Sequence, residues 1–133
     1  QKGGSAPIMD VIDYGEPVTT KGLNMLYGPG NDLVSATALT AAGAHMVLFS
    51  TGRGTPFGAP APTLKIATNS QLAARKKTWI DFNAGVVADG ERTLDEAGAD
   101  LYRLVLDVAS GKQTCAEKKG FREISIFKDG VVL

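Results

Sequence analysis

Four short apolar runs in this chain each end at a turn that is rich in glycine or asparagine. The runs do not alternate between apolar and polar residues, which is typical of strands buried on both faces of a parallel sheet. The pattern therefore predicts an α/β fold, a Rossmann-like three-layer domain with a mostly parallel sheet. The predicted strands cover Leu23–Tyr27, Met46–Thr51, Leu64–Thr68 and Trp79–Phe82.

Two longer helices accompany these runs. Residues 32–44 are rich in Ala, Leu and Thr, and Asn31 or Asp32 suits the N-cap because its side-chain oxygen can accept from a free backbone N–H. We expect this helix and its two flanking runs to form one βαβ unit. Thr93 and Glu96 match a capping box, and Gly111 suits the end of the helix that follows. The apolar stripe of that second helix is Leu94, Ala97, Leu101, Leu104, Val105 and Val108.

The 133 residues predict a single domain. Residues 1–22 show little periodicity and are interpreted as an N-terminal arm that packs on this domain or on a neighbour. Residues 111–120 are predicted to be a polar loop, followed by a strand over Glu123–Phe127 and a turn at Asp129-Gly130. The chain starts without Met, so we interpret it as the C-terminal fragment of a longer protein.

Composition excludes several classes of protein. Lys and Arg number 14 and balance 14 Asp and Glu, so nucleic acid is not an expected partner. The one dense basic cluster, Arg75-Lys76-Lys77, is interpreted as the solvated end of a helix. The single cysteine, Cys115, excludes an internal disulfide and fits a cytoplasmic protein. Apolar runs are too short for a membrane span, so no membrane partner is expected either.

Turns that follow parallel strands all emerge at the carboxyl edge of a sheet, where ligands bind. Here they offer glycines, amides, hydroxyls and the guanidinium of Arg53, which suit a polyhydroxylated carboxylic acid. The alternative is that Gly and Asn occupy these turns for backbone reasons alone, and that Arg53 is merely exposed. The candidate substrate-binding residues are Gly28, Gly30, Asn31, Asp32, Thr51, Arg53, Gly54, Thr55, Asn69, Ser70 and Asn83.

Other candidate sites are weaker. The glycine patterns around Gly28 and Gly52 do not complete a dinucleotide fingerprint or a Walker loop, so a nucleotide-binding module is disfavoured. His45 precedes the second run, away from the ligand edge, which favours a structural role. Cys115 has no paired base, and Trp79 and Tyr27 are interpreted as core residues. The aspartates form no recognised metal motif, and no catalytic residue is assigned.

Several long blocks closely resemble the C-terminal portion of the altronate and galactarate dehydratases. The resemblance extends over essentially the whole chain, and the ending Gly120–Lys128 is more similar to the altronate branch. The blocks are residues 2–4, 13–17, 22–32, 46–58, 65–70 and 81–85.

This resemblance implies a hydro-lyase that dehydrates a sugar acid to a 2-keto-3-deoxy acid; for altronate the product is 2-keto-3-deoxy-gluconate. It also implies a divalent metal, Fe(II), with the general base and most metal ligands in the missing N-terminal and middle segments. We therefore expect the fragment alone to be inactive. The alternatives are a galactarate dehydratase domain and a structural or oligomerisation domain, because the strand-like C-terminus and the arm could pair with another subunit.

Overall fold

A computed structural model describes residues 3–126 of the chain. Its strands are β1 Ile8–Ile12, β2 Leu23–Leu26, β3 Val47–Thr51, β4 Thr63–Ala67 and β5 Phe82–Asn83. Its helices are α1 Asp32–Ala41, α2 Ser70–Arg75, α3 Gly85–Ala88, α4 Leu94–Ala109 and α5 Cys115–Lys118.

The strands pair in parallel, but in two sheets. β1 pairs with β2 in one sheet, and the order in the other is β3-β4-β5. The α/β class and the parallel pairing are confirmed, whereas the three-layer Rossmann-like arrangement is not. The predicted βαβ unit is wrong, because β2 and β3 lie in different sheets. The N-terminal arm accounts for the separate sheet, because it supplies β1, which pairs with β2 through backbone hydrogen bonds.

Helix α1 begins at the predicted cap. The Asn31 side chain accepts hydrogen bonds from the backbone N–H groups of Leu33 and Val34 at 3.1 and 3.2 Å. The helix ends at Ala41 rather than Ala44, and Gly43 follows with a φ of 108°, a conformation that favours glycine. Ala36 packs with Val47 and Ala59 in one core cluster, so small residues let α1 approach β3 closely.

Helix α4 has the predicted capping box, with Thr93 accepting from the N–H of Glu96 and Glu96 accepting from Thr93. Ala97 and Val108 of the predicted stripe are buried, but Leu94 at its start is exposed. The predicted polar loop over 111–120 is wrong at α5. Thr114 and Glu117 form a second capping box there, the same sequence signature three residues apart.

Thr114→Ala is expected to lower the free energy of unfolding by about 2 kcal/mol, near the upper limit for loss of an N-cap. Thr114 is buried, and its hydroxyl accepts from the N–H of Glu117 at 3.3 Å. Urea unfolding measures the effect. Thr93→Ala removes the same cap from an exposed position and should cost about 1 kcal/mol. Equal costs at both sites would show that burial of the cap adds nothing.

The predicted strand over 123–127 is not present in the described part, 123–126. Glu123 instead exchanges hydrogen bonds with Gly58, its N–H donating to the Gly58 carbonyl at 2.7 Å and its carboxylate accepting from the Gly58 N–H at 2.9 Å. The N–H of Ser125 donates to the Thr37 hydroxyl. Because these partners belong to a loop and a helix, no strand ladder forms. The predicted turn at Asp129-Gly130 lies outside the described residues.

None of the helices within residues 3–126 combines the length and the hydrophobicity that spanning a bilayer requires.

Candidate functional site

The carboxyl ends of β3 and β4 border an open pocket of about 280 Å³. We call it the cationic pocket, because three of its lining side chains carry positive charge. Its wall comprises the turn after β3 and one side of α2, which follows β4. The lining residues are Gly52, Arg53, Asn69, Gln71, Leu72, Arg75 and Lys76.

The two guanidinium groups of this pocket are open to solvent. Neither Arg53 nor Arg75 forms an ion pair with any residue between 3 and 126, and both are exposed. The Lys76 ammonium donates to the Arg53 carbonyl at 3.0 Å and lies 4.3 Å from the centre of the Trp79 ring. Since arginine binds carboxylates through two parallel N–H donors, the pocket suits a small carboxylic acid.

Two lysines hold the segment that carries Arg53. Lys76 binds the carbonyl of Arg53, while Lys65 binds the carbonyls of Thr55, at 2.8 Å, and Phe57. Three alternate carbonyls along residues 53–57 are therefore bound by ammonium groups. This arrangement fixes the backbone next to Arg53 and leaves the Arg53 side chain at the pocket.

Lys65 is an unusual residue for a strand core. It lies in the middle of β4 with 1% of its surface exposed, and its ammonium lies 4.6 Å from the centre of the Phe57 ring. Burial lowers the pKa of Lys65, an effect that the negative charges of Asp81 and Glu123 partly offset. The Lys65 ammonium donates to backbone carbonyls and so stabilises the loop at residues 55–57. It does not line the cationic pocket.

Four of the predicted ligand side chains are engaged in local structure. Asn31 caps α1, and Thr51 accepts from the N–H of Gly54 at 2.9 Å. The Asn69 amide caps α2 through Leu72 and donates to the Gly52 carbonyl at 3.1 Å. Asn83 accepts from the N–H of Gly85 and donates to the Ser70 hydroxyl at 2.9 Å. Each therefore shapes a turn, which agrees with the backbone interpretation of these positions.

The predicted residues do not all line one cleft. Arg53 and Asn69 line the cationic pocket, and Gly54 lies so close to Leu72 and Lys76 that a Cβ there would touch both. Ser70 and Asn83 contact each other at the ends of β4 and β5. Thr55 faces Lys65 through its carbonyl. The residues that follow β2 in the other sheet do not line the pocket: Gly28, Gly30, Asn31 and Asp32.

Sequence reasoning missed Gln71, Arg75 and Lys76 as pocket residues. The cluster at 75–77 was correctly placed at the end of a helix, α2, but only its solvated role was considered. Gln71 and Arg75 are four residues apart, as are Leu72 and Lys76, so each pair shares one helix face. A short helix that starts at the carboxyl edge of the sheet places its second turn near that edge as well. The four-residue spacing on α2 could therefore have identified these residues as neighbours of the predicted site.

Other side chains also differ from expectation. Tyr27 is exposed, so the prediction that it is a core residue is wrong. Trp79 is half-buried, and the Lys76 ammonium lies over its ring. His45 is exposed ahead of β3, opposite the pocket end of that strand. Burial raises the pKa of the Cys115 thiol, and the nearby Asp81 adds to the rise, which disfavours a thiolate.

The described residues do not supply a complete metal centre. Between residues 3 and 126, no three His, Cys, Asp or Glu side chains come close enough to hold a metal ion. The Asp81 carboxylate is engaged in local structure: it accepts from the N–H groups of Lys65 and Cys115 at 2.8 and 2.7 Å and so joins β4 to α5.

Parallel strands with flanking helices define an α/β domain, and its cationic pocket lies at the carboxyl ends of β3 and β4. Residues 1–132 match the protein family described as D-galactarate/Altronate dehydratase, C-terminal, and the chain belongs to that family.

Three characterised relatives show the same relationship. The chain is 54% identical to an altronate dehydratase of Escherichia coli (strain K12), and 49% identical to an altronate dehydratase of Bacillus subtilis (strain 168). Each comparison covers 133 residues, 100% of this chain and 27% of the relative. A galactarate dehydratase (L-threo-forming) of Escherichia coli (strain K12) is 39% identical over 134 residues, covering 98% of this chain and 26% of the relative. The chain thus spans about a quarter of the length of these enzymes.

Proposed function

We propose that this domain binds the carboxylate of a sugar acid within a longer dehydratase, and that the acid is altronate. The observation that carries the proposal is the cationic pocket, where Arg53 and Arg75 have no charged partner among residues 3–126. The names of the relatives at 54% and 49% identity support altronate over galactarate.

The proposed reaction is a β-elimination of water. A base removes the proton from C2, next to the carboxylate, and the electrons of that C–H bond form the C2–C3 double bond. The hydroxyl on C3 then leaves with a proton as water, and the resulting enol rearranges to the 2-keto acid. Negative charge grows on the carboxylate as the C2 proton departs, so cations that hold it stabilise the transition state.

In this scheme Arg53 is the principal carboxylate ligand. Its guanidinium can bind both oxygens, with Arg75 and Lys76 adding positive charge and Gln71 offering an amide to a hydroxyl. Asn69 and Asn83 support the turns rather than the substrate, since their amides are engaged. We place the general base in the rest of the enzyme, since Lys65, the buried lysine among residues 3–126, is bound to carbonyls.

Fe(II) remains part of the proposal through the family resemblance. The described residues do not fit it alone, as no three suitable side chains come together within residues 3–126. We therefore place most of its ligands in the rest of the enzyme. For the same reasons the isolated domain is expected to bind weakly and to be catalytically inactive.

Galactarate is the second candidate. It carries two carboxylates, and three cations at one pocket could accept both. Assay of the full-length enzyme on both acids, with and without Fe(II), distinguishes the two substrates. An enzyme that dehydrates neither acid would refute the proposed activity.

Arg53→Ala in the full-length enzyme is expected to lower kcat/KM for altronate about 100-fold, which corresponds to about 3 kcal/mol for a lost charge-assisted, bidentate contact. Steady-state kinetics measure it. Arg103→Ala is the matched control, because Arg103 lies on α4 and pairs with Asp100 at 2.9 Å. Unchanged kinetics in Arg53→Ala, or an equal loss in the control, would remove Arg53 from the site.

A further inference from the structure

Several large apolar side chains of the β1–β2 sheet are open to solvent. Side chains alternate along a strand, and the register pairs Val11 with Met25, so these two point to the same side. Met9 lies at an irregularity of β1 between Ile8 and Asp10, and Tyr27 directly follows β2. Both are exposed, whereas their neighbours Asp10 and Leu26 are half-buried, which groups Met9 and Tyr27 with this pair. The exposed fractions are 53% for Met9, 70% for Val11, 48% for Met25 and 72% for Tyr27. We call these four residues the outer sheet face.

The opposite face of the same sheet packs on the domain. Ile12 is 6% exposed, and its register partner Leu26 is half-buried. Asp10 on this side accepts a hydrogen bond from the Thr20 hydroxyl at 3.1 Å. The two strands are therefore fixed to this domain by one face only.

An arrangement of this kind is incomplete. Parallel sheets occur almost only with both faces covered, because their crossover connections place helices there. A sheet of two strands also leaves both outer edges with unpaired backbone groups. Four large apolar side chains on one open face of such a sheet mark a surface that another element covers.

Two candidates for the covering element are the rest of the same polypeptide and a second copy of this chain. The relatives devote only 26–27% of their length to the part that this chain matches, so about three-quarters of each lies elsewhere. A second copy of this chain would have to build its interface around these four residues. Four partly exposed side chains offer roughly 400 Å², well below the roughly 800 Å² per partner of a stable interface.

We propose that the outer sheet face is the docking surface for the rest of the same polypeptide, which covers Met9, Val11, Met25 and Tyr27 with an apolar helix. Contact within one chain avoids the entropic cost of association, so a small patch suffices. The sheet would then be the joint through which the domain is held against the remainder of the enzyme. This inference rests on family membership and on the sheet, and does not depend on the substrate.

Hydrogen exchange of the full-length enzyme tests the proposal. We expect amides of residues 8–12 and 23–27 to exchange at least 100-fold more slowly in the wild type than in a Val11→Glu variant, at every protein concentration, because the pairing of β1 with β2 is common to both proteins. Val11→Glu places a charge in the proposed contact and should accelerate exchange in both strands. Leu94→Glu is the matched control, since Leu94 is an equally exposed apolar residue on α4, and it should leave exchange in β1 and β2 unchanged.

Two results would overturn the proposal. Exchange in β1 and β2 that is as fast in the wild type as in Val11→Glu would show that the outer sheet face is open in the complete enzyme. Protection that disappears on dilution would assign the surface to a second copy. Because the readout is exchange rather than turnover, either result is separable from failure of the proposed dehydratase activity.

Discussion

Lys65→Met is expected to lower the free energy of unfolding by about 3 kcal/mol. The substitution keeps the length and most of the volume of the side chain, but the carbonyls of Thr55 and Phe57 lose their donor. A hydrogen bond to a charged group is worth about 1.5–3 kcal/mol, and an orphaned buried acceptor costs about 1–3 kcal/mol. The variant no longer has to remove an ammonium group from water, and this gain offsets part of that cost. Urea unfolding measures the difference.

The matched control for this variant is Lys77→Met. Lys77 is exposed next to the cationic pocket but does not line it, so the same substitution there should change stability by less than about 0.5 kcal/mol. A Lys65→Met protein as stable as this control would show that the ammonium does not hold the loop.

Stability against pH provides a second test of Lys65. Burial lowers its folded-state pKa below the usual 10.5, so the unfolded chain binds more protons between the lowered pKa and 10.5. The free energy of unfolding contributed by this group therefore rises with pH across that window. The rise should be present in the wild type and absent from Lys65→Met.

The sequence carried most of the information about local structure. Caps such as Asn31 and Thr93 act through neighbouring backbone groups, and a few residues determine them. The division into two sheets could not be predicted in the same way. Whether β2 pairs with β1 or joins the sheet of β3 depends on contacts between segments that are distant in sequence, and no local pattern encodes that choice.

Gly85→Ala is expected to destabilise the protein by about 3 kcal/mol. A Cβ at Gly85 would lie 2.6 Å from the Asn69 Cα and would also collide with the backbone nitrogen of Ser70. Overpacking costs about 1–3 kcal/mol, and backbone atoms yield less readily than side chains, so the upper value applies. The collision occurs where Asn69 joins β4 to α2, so the cationic pocket should also lose affinity for the acid.

Gly98→Ala controls for the loss of a glycine. Gly98 lies in α4, and a Cβ there meets nothing within 4 Å. Alanine is the better helix former, so this variant should be more stable than wild type by about 1 kcal/mol. Thermal unfolding of both variants measures the contrast. Destabilisation of similar size at both positions would contradict a steric origin at Gly85.

The candidate site was only partly predictable. Arg53 was a candidate because it is the single guanidinium in the turns that follow the predicted strands, and it does line the cationic pocket. Asn31, Asn69 and Asn83 were ambiguous, because an amide that caps a helix and an amide that binds a ligand occur in the same kind of turn. Lys65 was overlooked, although a charged residue within an apolar strand is a signal for a buried, fully engaged ammonium.

The most direct measurement is a crystal structure of the full-length enzyme with a bound sugar acid that cannot eliminate water, such as a 3-deoxy analogue of altronate. The account predicts the carboxylate at the cationic pocket, about 2.7–2.9 Å from the guanidinium nitrogens of Arg53, as charge-assisted hydrogen bonds require. An acid bound elsewhere, with Arg53 still facing solvent, would contradict it.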